Sequence, residues 1–321
     1  MRVISLASGS SGNALLVEAG PAGRTKLLID AGISTYMLTH RLLSIGVRPE
    51  HLQGILITHE HSDHVLGVPL LMKRYAIPVI ADPRTYNALE ASVAARTWLS
   101  DTGAPISLES TLVLEAQEEQ VPTSKVVHEA EEAVSEKSER TFHPLAVGAS
   151  CRVGDIEITS FPTSHDAVAP CGFLLHAGGC RICVVTDCGE IAPAMLDIMR
   201  LADLLVIEAN HDRTQLLRGP YPYKLKMRIL SATGHLSNDQ TAEAILHTWH
   251  GDSVRWLWLA HLSRTNNTPT LALQSVRASL QAAGADLALV HISVAPPGMG
   301  PMWDSTQLWN RRTLWEMTDK R

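Results

Sequence analysis

The chain has 321 residues, 45% of them hydrophobic, and a formal net charge of −6. This length suits one large α/β or sandwich domain with insertions as well as it suits two domains. The first residues lack a basic stretch followed by an apolar one, and no apolar run approaches the roughly 18 residues that span a bilayer. We therefore expect a cytoplasmic protein with no membrane partner. Five cysteines, an odd number, argue against a disulfide framework.

The negative charge is concentrated in one segment. Residues 109–140 hold nine Glu against three cations, which accounts for all of the −6. The acidic total therefore does not exclude a nucleic-acid partner. The stretch 211–228, HDRTQLLRGPYPYKLKMR, gathers five cations and two tyrosines, so a local basic patch is predicted there.

The first third of the chain is rich in short β-type runs, each bounded by Gly, Pro or Asn. They read RVISLAS, NALLVEA, TKLLIDAG and GILITH. The stretch YMLTHRLLSIGV has helical spacing, and VPLLMKRY and PRTYNALEASV predict two more helices around the strand IPVIAD. Residues 103–147 show no convincing period and predict a flexible acidic insertion without a specific role.

Strands return after the insertion and then alternate with helices. The predicted strands are CRVGDIEITSFPTSH, CGFLLHAG, CRICVVTDCG, ADLLVIEANH, VRWLWLAHLS and ALVHIS, and the helices are SNDQTAEAILHTWH and TLALQSVRASLQAAG. A β-rich part followed by a mixed part thus occurs twice, which two packed sheets with helices outside would accommodate. Cys180 and Cys183 form a CxxC within one strand, and buried thiols are favoured there over a zinc site.

We assign residues 1–294 to one domain and residues 295–321 to a C-terminal tail. The tail carries Trp303, Trp309 and Trp315. Packing against the body of the protein or against a second copy is favoured over stacking on single-stranded bases. A homo-oligomer is therefore one of the expected arrangements.

One short stretch, ITHEHSDHVLG at residues 57–67, crowds four potential ligands into six positions. They are His59, His61, Asp63 and His64. A protein core has little use for so many polar groups unless a metal satisfies them. On an extended segment His59 and His61 point the same way, while the other two fall where the next helix opens.

Further candidate ligands follow the ends of three predicted strands, where functional groups often collect. They are His165 after ITSFPTS, Asp187 after ICVVT and His261 after WLWLA. Together with Asp30 in LLIDAG, these residues resemble the signature of the metallo-β-lactamase superfamily, HxHxDH followed by His, Asp and His. The match covers most of the chain outside the insertion and the tail.

This resemblance implies an α/β fold, the metallo-β-lactamase αββα four-layer sandwich, and two divalent metal ions as cofactors. Zn, Mn and Fe all suit the ligand types. The implied roles place His59, His61 and His165 on one metal and Asp63, His64 and His261 on the other, with Asp187 bridging. Asp30 would orient a ligand from behind.

Shorter matches are similar to the YycJ (WalJ) subfamily, described as metal-dependent DNA exonucleases. They read LASGSSGN, PTSHDAVAPCGF, VIEANHD, YPYKLKMRILSATGHLSN and LAHLSRTNN. This resemblance implies a 5′–3′ DNA exonuclease that uses a metal-bridging hydroxide, with DNA as its partner. A hydrolase of a small phosphodiester or a thioester with the same metal core stays open as the alternative. A non-hydrolytic regulatory protein is disfavoured because the ligand set looks complete.

A second pair bears on catalysis. Glu208 ends the strand DLLVIE, and His235 in GHLSN opens a helix, which resembles the Glu and His pair of the tRNA 3′-processing nucleases. A carboxylate on one imidazole nitrogen lets the other protonate a departing oxygen. Asp63, Glu208 and His235 are thus the candidate catalytic residues, and a helix-capping role for His235 is the competing interpretation. Candidate substrate contacts lie in SGSSGN and SRTNN: Ser10, Ser11, Asn13, Ser263 and Asn266.

Overall fold

The computed structural model describes residues 1–95, 97–100, 105–107, 117, 125–126, 128–129, 142–249 and 253–309. Within these ranges two large sheets stack face to face, and we name them sheet I and sheet II. Sheet I has the strand order β16-β1-β2-β3-β4-β5-β8. Its strands are β1 (Arg2–Ala7), β2 (Ala14–Ala19), β3 (Thr25–Ile29), β4 (Gly54–Leu56), β5 (Val79–Ala81), β8 (Phe142–Pro144) and β16 (Met302–Asp304).

Sheet II has the order β15-β14-β13-β12-β11-β10-β9. Its strands are β9 (Ser150–Val153), β10 (Ile156–Pro162), β11 (Cys171–Ala177), β12 (Cys180–Val185), β13 (Leu204–Glu208), β14 (Arg255–Ala260) and β15 (Val290–Val294). A separate antiparallel hairpin pairs β6 (Thr97–Leu99) with β7 (Pro105–Ser107). Both large sheets begin as antiparallel strands and continue as parallel ones, so the repeated order predicted from the sequence is confirmed.

Helices cover the outer face of each sheet. On sheet I they are α1 (Thr35–Ser44), α2 (Ser62–Val65), α3 (Val68–Tyr75) and α4 (Pro83–Ala94). On sheet II, α5 (Pro193–Met199), α8 (Asn238–Thr248) and α9 (Pro269–Ala282) supply the outer layer, whereas α6 (Arg213–Arg218) and α7 (Tyr223–Ile229) contribute no residue to it. No helix in the described ranges is long and apolar enough to cross a membrane.

Strand residues alternate between two faces, and this alternation separates the buried side chains into layers. Ile4 packs with the helices outside sheet I, whereas its neighbour Val3 packs between the sheets with Phe173. In sheet II, Cys180 belongs to the layer between the sheets and Cys183 to the layer under the outer helices. Strands buried on both faces give the near-continuous apolar runs seen in the sequence. The predicted αββα four-layer sandwich is confirmed.

Two parts of the chain outside the predicted strands also join sheet I. Residues 142–144, at the end of the predicted acidic insertion, pair in parallel with β5. Trp303 of the predicted tail pairs with Val3 and is fully buried between the sheets. Most of the predicted insertion, and Trp315, lie outside the described residues.

The carboxyl ends of the parallel strands form one edge of the sandwich. In sheet II, β13 pairs in register with β12 and β14, with Glu208 opposite Ala260. In sheet I, Ile29 is opposite Leu56, so the residues after β3 and β4 also emerge together. Polar side chains that follow these strands therefore converge at this edge.

Asp82 fixes the start of α4 and gives a first testable prediction. Its carboxylate accepts hydrogen bonds from Arg84 N at 2.9 Å and Val147 N at 3.0 Å, and it pairs with the Arg84 side chain. The Arg84 side chain, followed by these backbone bonds, outweighs burial and lowers the pKa of Asp82 to about 2. We expect Asp82→Asn to reduce the free energy of unfolding at pH 7 by about 1 kcal/mol in urea denaturation.

This contribution should depend on pH with a defined sign. A carboxylate whose pKa is lowered by folding stabilises fully above its unfolded pKa of about 3.9 and loses that effect as pH falls towards 2. The difference between Asp82→Asn and the wild type should therefore narrow below about pH 4. Glu243→Gln, at an exposed position in the middle of α8, is the matched control. A difference that stays constant down to pH 3 would contradict the lowered pKa.

Candidate metal centre

Three histidines from two elements meet at the strand-end edge. His59 and His61 lie on the extended segment after β4, and His61 is the N-cap residue of α2. His165 arrives from the segment after β10, and its Nε2 lies 3.3 Å from His61 Nδ1. One ligand atom from each of the three lies within 4.8 Å of the others, and all three side chains are buried.

A second group lies beside the first. Asp63 and His64 are in the single turn of α2, and His261 follows β14. Asp63 Oδ2 is 3.6 Å from His64 Nε2 and 3.3 Å from His261 Nε2. The three ligand atoms again lie within 4.8 Å of one another.

Asp187 lies between these two groups. Its Oδ2 is 3.1 Å from His64 Nε2, and its Oδ1 is 3.3 Å from His261 Nδ1 and 4.0 Å from His165 Nε2. One ligand atom each of Asp187, His59 and His64 also lie within 4.8 Å of one another. The structure thus brings together all seven predicted ligands.

The backbone that presents these side chains is strained. Asp30, Asp187 and His261 each follow a strand and have φ values of 60°, 54° and 54°. They are three of the five non-glycine residues with positive φ in the described chain. Such conformations cost roughly 1–3 kcal/mol each and cluster at functional sites.

Several buried atoms at the centre have no hydrogen-bond partner among the described residues. They are His59 Nε2, Asp63 Oδ1 and both carboxylate oxygens of Asp187. A buried polar atom left unsatisfied costs about 1–3 kcal/mol, so these atoms need a further partner. Imidazole nitrogens and carboxylate oxygens are ligands for Zn, Mn and Fe. The donor set fits divalent metal ions.

Burial and charge set the protonation of the ligands. Burial, with help from neighbouring imidazoles, holds the pKa of His59 well below its usual range and lowers the pKa of His61 to about 4. Both rings are therefore neutral at pH 7, the form that binds metals. Burial also acts to lower the pKa of His64, but the charges of Asp187, Asp30 and Asp63 outweigh it and raise that pKa. A cation bound there has to displace a proton.

Asp30 holds His64 from behind. Its Oδ2 lies 2.7 Å from His64 Nδ1, which turns Nε2 towards the centre, and its Oδ1 accepts from Thr58 N at 2.9 Å. The loop after Asp30 runs directly against the HEHSDH segment. A Cβ atom on Gly32 would lie 1.6 Å from the carbonyl oxygen of Asp63, so only glycine allows this approach.

Glu208 is fully buried and contacts two histidines. Its Oε1 lies 2.8 Å from His235 Nδ1 and 2.8 Å from His261 Nδ1, and its Oε2 accepts from Leu236 N and Cys188 N at 3.0 Å. His235 Nδ1 is also 3.7 Å from Asp187 Oδ1. The sequence indicated the contact with His235 but not the one with His261. The parallel register of β13 and β14 produces it.

The predicted substrate residues occupy two different environments. Ser10 is half-buried, Ser11 is exposed, and Asn13 Nδ2 lies 3.1 Å from His64 Nε2. Ser263 and Asn266 are buried and hydrogen-bonded to each other, so they hold the loop after His261. Sequence reasoning missed Ser8, whose Oγ accepts from His261 N at 2.9 Å. Its position in the same SGSSGN loop was the available signal.

A family model described as "Metallo-beta-lactamase superfamily" matches residues 7–193. The chain belongs to the metallo-β-lactamase superfamily. This member is 37% identical over 267 residues to exodeoxyribonuclease WalJ of Streptococcus pneumoniae, covering 83% of each chain. It is 33% identical over 279 residues to exodeoxyribonuclease YycJ of Bacillus anthracis, covering 87% of this chain and 89% of that one. The resemblance inferred from the motifs is confirmed.

A solved structure carries the same fold. The metallo-β-lactamase fold protein YhfI from Bacillus subtilis aligns with a TM-score of 0.59 at 14% identity, covering 94% of this chain and 98% of that one. The chain belongs to this superfamily and holds buried groups of His and Asp that suit a metal. It is therefore a metal-dependent hydrolase.

Proposed function

We propose that this protein is a two-metal phosphodiesterase that degrades DNA as a 5′–3′ exonuclease. The observation that carries the proposal is the position of His235, bonded to buried Glu208 and 3.7 Å from Asp187. The alkoxide that leaves a phosphodiester needs to be protonated, whereas the thiolate that leaves a thioester does not. The names of the relatives, exodeoxyribonuclease WalJ and YycJ, support DNA as the substrate.

Each side chain then has a role. His59, His61 and His165 would hold one cation, Asp63, His64 and His261 the other, and Asp187 would contact both. When bound, the cations would lower the pKa of water and neutralise charge on the phosphoryl oxygens. Asp30 keeps His64 in one tautomer and one orientation.

Glu208 and His235 would deliver the proton. The Glu208 carboxylate accepts from His235 Nδ1, so Nε2 is the nitrogen that faces away from it. A neighbouring carboxylate raises the basicity of an imidazole and fixes its tautomer. His235 can then act as the general acid that protonates the departing alcohol oxygen. Burial opposes ionisation of Glu208, but the charge of His235 and its hydrogen bonds outweigh burial and lower the pKa of Glu208.

Substrate assays with the purified, metal-loaded protein test the proposal. DNA labelled at the 5′ or the 3′ end, in single-stranded and duplex form, should be shortened from the 5′ end with release of mononucleotides. A cyclic phosphodiester and a thioester serve as the competing substrates. Thioester hydrolysis without release of nucleotides would overturn the assignment, and loss of the 3′ label first would overturn the direction.

A further inference from the structure

The basic stretch 211–228 forms two short helices that leave sheet II beside the metal centre. We call residues 213–229 the basic hairpin; it consists of α6, the connection 219–222 and α7. The chain leaves sheet II at Glu208 and returns at His235, and these two residues are bonded at 2.8 Å. A second bond, from Leu236 N to Glu208 Oε2 at 3.0 Å, closes the same base. The basic hairpin therefore rises directly beside the proposed general acid.

Both ends of the basic hairpin are attached to loops that carry metal ligands. Next to its start, Asp212 N donates to the carbonyl of Asn266 at 2.9 Å, in the loop after His261. A Cβ atom on Gly219 would lie 2.8 Å from Asn266 Oδ1, so the connection also packs on this loop. The hairpin thus begins against one wall of the metal centre.

Its other end is attached to the loop of His165. Arg228 Nε donates to Asp166 Oδ2 at 2.5 Å, and Asp166 N donates to the carbonyl of Thr233 at 3.1 Å. Asp166 Oδ1 lies 3.5 Å from His165 Nε2. The basic hairpin consequently contacts both of the loops that carry these candidate ligands.

The basic hairpin and the residues just after it carry only positive charge. Residues 213–238 contain five cations and no acidic residue. Two of the cations have structural partners: Arg228 bonds Asp166, and Lys226 Nζ donates to the carbonyls of Leu217 and Gly219 at 2.8 Å. The remaining three are exposed and have no partner among the described residues; they are Arg213, Arg218 and Lys224. These cations are available to an anionic ligand.

An aromatic side chain accompanies these cations. Tyr223 is 76% exposed at the start of α7, next to Lys224. Met227, 36% exposed, lies four residues later and so on the same face of the helix. Exposed aromatic rings among cations suit single-stranded nucleic acid, because phosphates meet the cations and unpaired bases stack on the ring. A duplex would offer phosphates but no open base face.

We propose that Arg213, Arg218, Tyr223 and Lys224 bind a single-stranded segment of the polynucleotide next to the scissile bond. The three cations contact phosphates, and Tyr223 stacks on a base. This inference rests on the proposed nuclease function and adds to it a surface that selects for a strand rather than a small phosphodiester. Lys226 and Arg228 keep the surface in place without belonging to it.

Binding of a labelled phosphorothioate single strand of about 20 nucleotides, followed by fluorescence anisotropy with metal-loaded protein, tests the surface. We expect Arg213→Ala/Arg218→Ala/Lys224→Ala to weaken binding about 10-fold or more at 0.1 M salt, and to reduce the slope of log K against log salt by about 2. Tyr223→Ala should weaken single-strand binding about 10-fold, while Tyr223→Phe keeps it within about 2-fold.

Arg277→Ala is the matched control, because Arg277 is an exposed arginine on α9. This helix comes later in the sequence and is not part of the basic hairpin. It should change neither binding nor cleavage. Circular dichroism checks that every variant is folded. Unchanged affinity in the triple variant, or an equal loss of duplex and single-strand binding in Tyr223→Ala, would overturn the inference.

Cleavage assays separate this inference from the proposed function. In the triple variant kcat/KM for single-stranded DNA should fall about 10-fold more than kcat/KM for bis(p-nitrophenyl) phosphate, which is too small to reach the surface. A wild type that hydrolyses the small diester but no DNA overturns the nuclease function. A wild type that degrades DNA, with a triple variant that matches it on both substrates, overturns only the role of the surface.

Discussion

Asp187→Ala is expected to lower kcat/KM for DNA by at least about 10⁴-fold. Among the described residues, Asp187 is the one carboxylate within 4.0 Å of all three of His64, His165 and His261, and neither of its oxygens has a hydrogen-bond partner there. In the proposed two-metal site, its removal would leave each cation one ligand short. Elemental analysis of the purified variant should show less metal than the wild type.

The control for this variant is Asp197→Ala, which removes an exposed carboxylate on α5 and should leave activity and metal content unchanged. His61→Ala should behave like Asp187→Ala, because it removes one of three ligands from its group. An Asp187→Ala protein that keeps both full metal content and more than about a tenth of its activity would show that the bridging assignment is wrong.

His235→Ala is expected to keep its metal and to lose about 10²–10⁴-fold in kcat on DNA. The substrate decides whether this loss reflects acid catalysis. p-Nitrophenolate leaves without being protonated, so hydrolysis of bis(p-nitrophenyl) phosphate should suffer far less. Metal content, kcat on both substrates and the pH dependence of kcat are the measurements.

Two further variants test the role of His235. Glu208→Gln should reduce both activity and metal affinity, because Glu208 also holds the ligand His261 at 2.8 Å. His247→Ala, at an exposed position of α8, is the neutral control. Loss of metal in His235→Ala would instead make His235 a ligand, an outcome consistent with its grouping with Asp187 and His261. Equal losses on both substrates would also refute the acid role.

Elements with strong periodicity could be predicted almost to the residue. VPLLMKRY coincides with α3, and SNDQTAEAILHTWH contains α8 with Ser237 as its N-cap residue. The helices α6 and α7 were not predicted, because six or seven residues are too few to establish a helical period. Strands β8 and β16 were missed for a related reason: three residues carry little alternation, and their pairing partners lie far away in the chain.

The candidate ligands could be located from the sequence because they follow strand ends in a recognisable order, but the residues that hold them in place could not. The contact between Glu208 and His261 depends on strand register, which local sequence does not encode. The contact of Ser8 with His261 joins residues 253 positions apart. Likewise, Asp and His adopt positive φ more readily than most residue types, but that preference is too weak to predict positive φ at Asp187 and His261 from the sequence.

Asp30, Asp187 and His261 combine a strained, left-handed backbone with side chains of the candidate metal centre. Their backbone conformation lowers stability at positions where activity needs the side chain. Glycine would occupy these φ values without steric cost, but at Asp30 it would remove the bonds to His64 Nδ1 and Thr58 N, and at His261 the bond to Glu208. At Asp187, whose carboxylate oxygens have no hydrogen-bond partner among the described residues, selection for heat resistance alone should favour glycine at the expense of the proposed metal site. Improved thermal tolerance that keeps hydrolysis has to come from elsewhere in the sandwich.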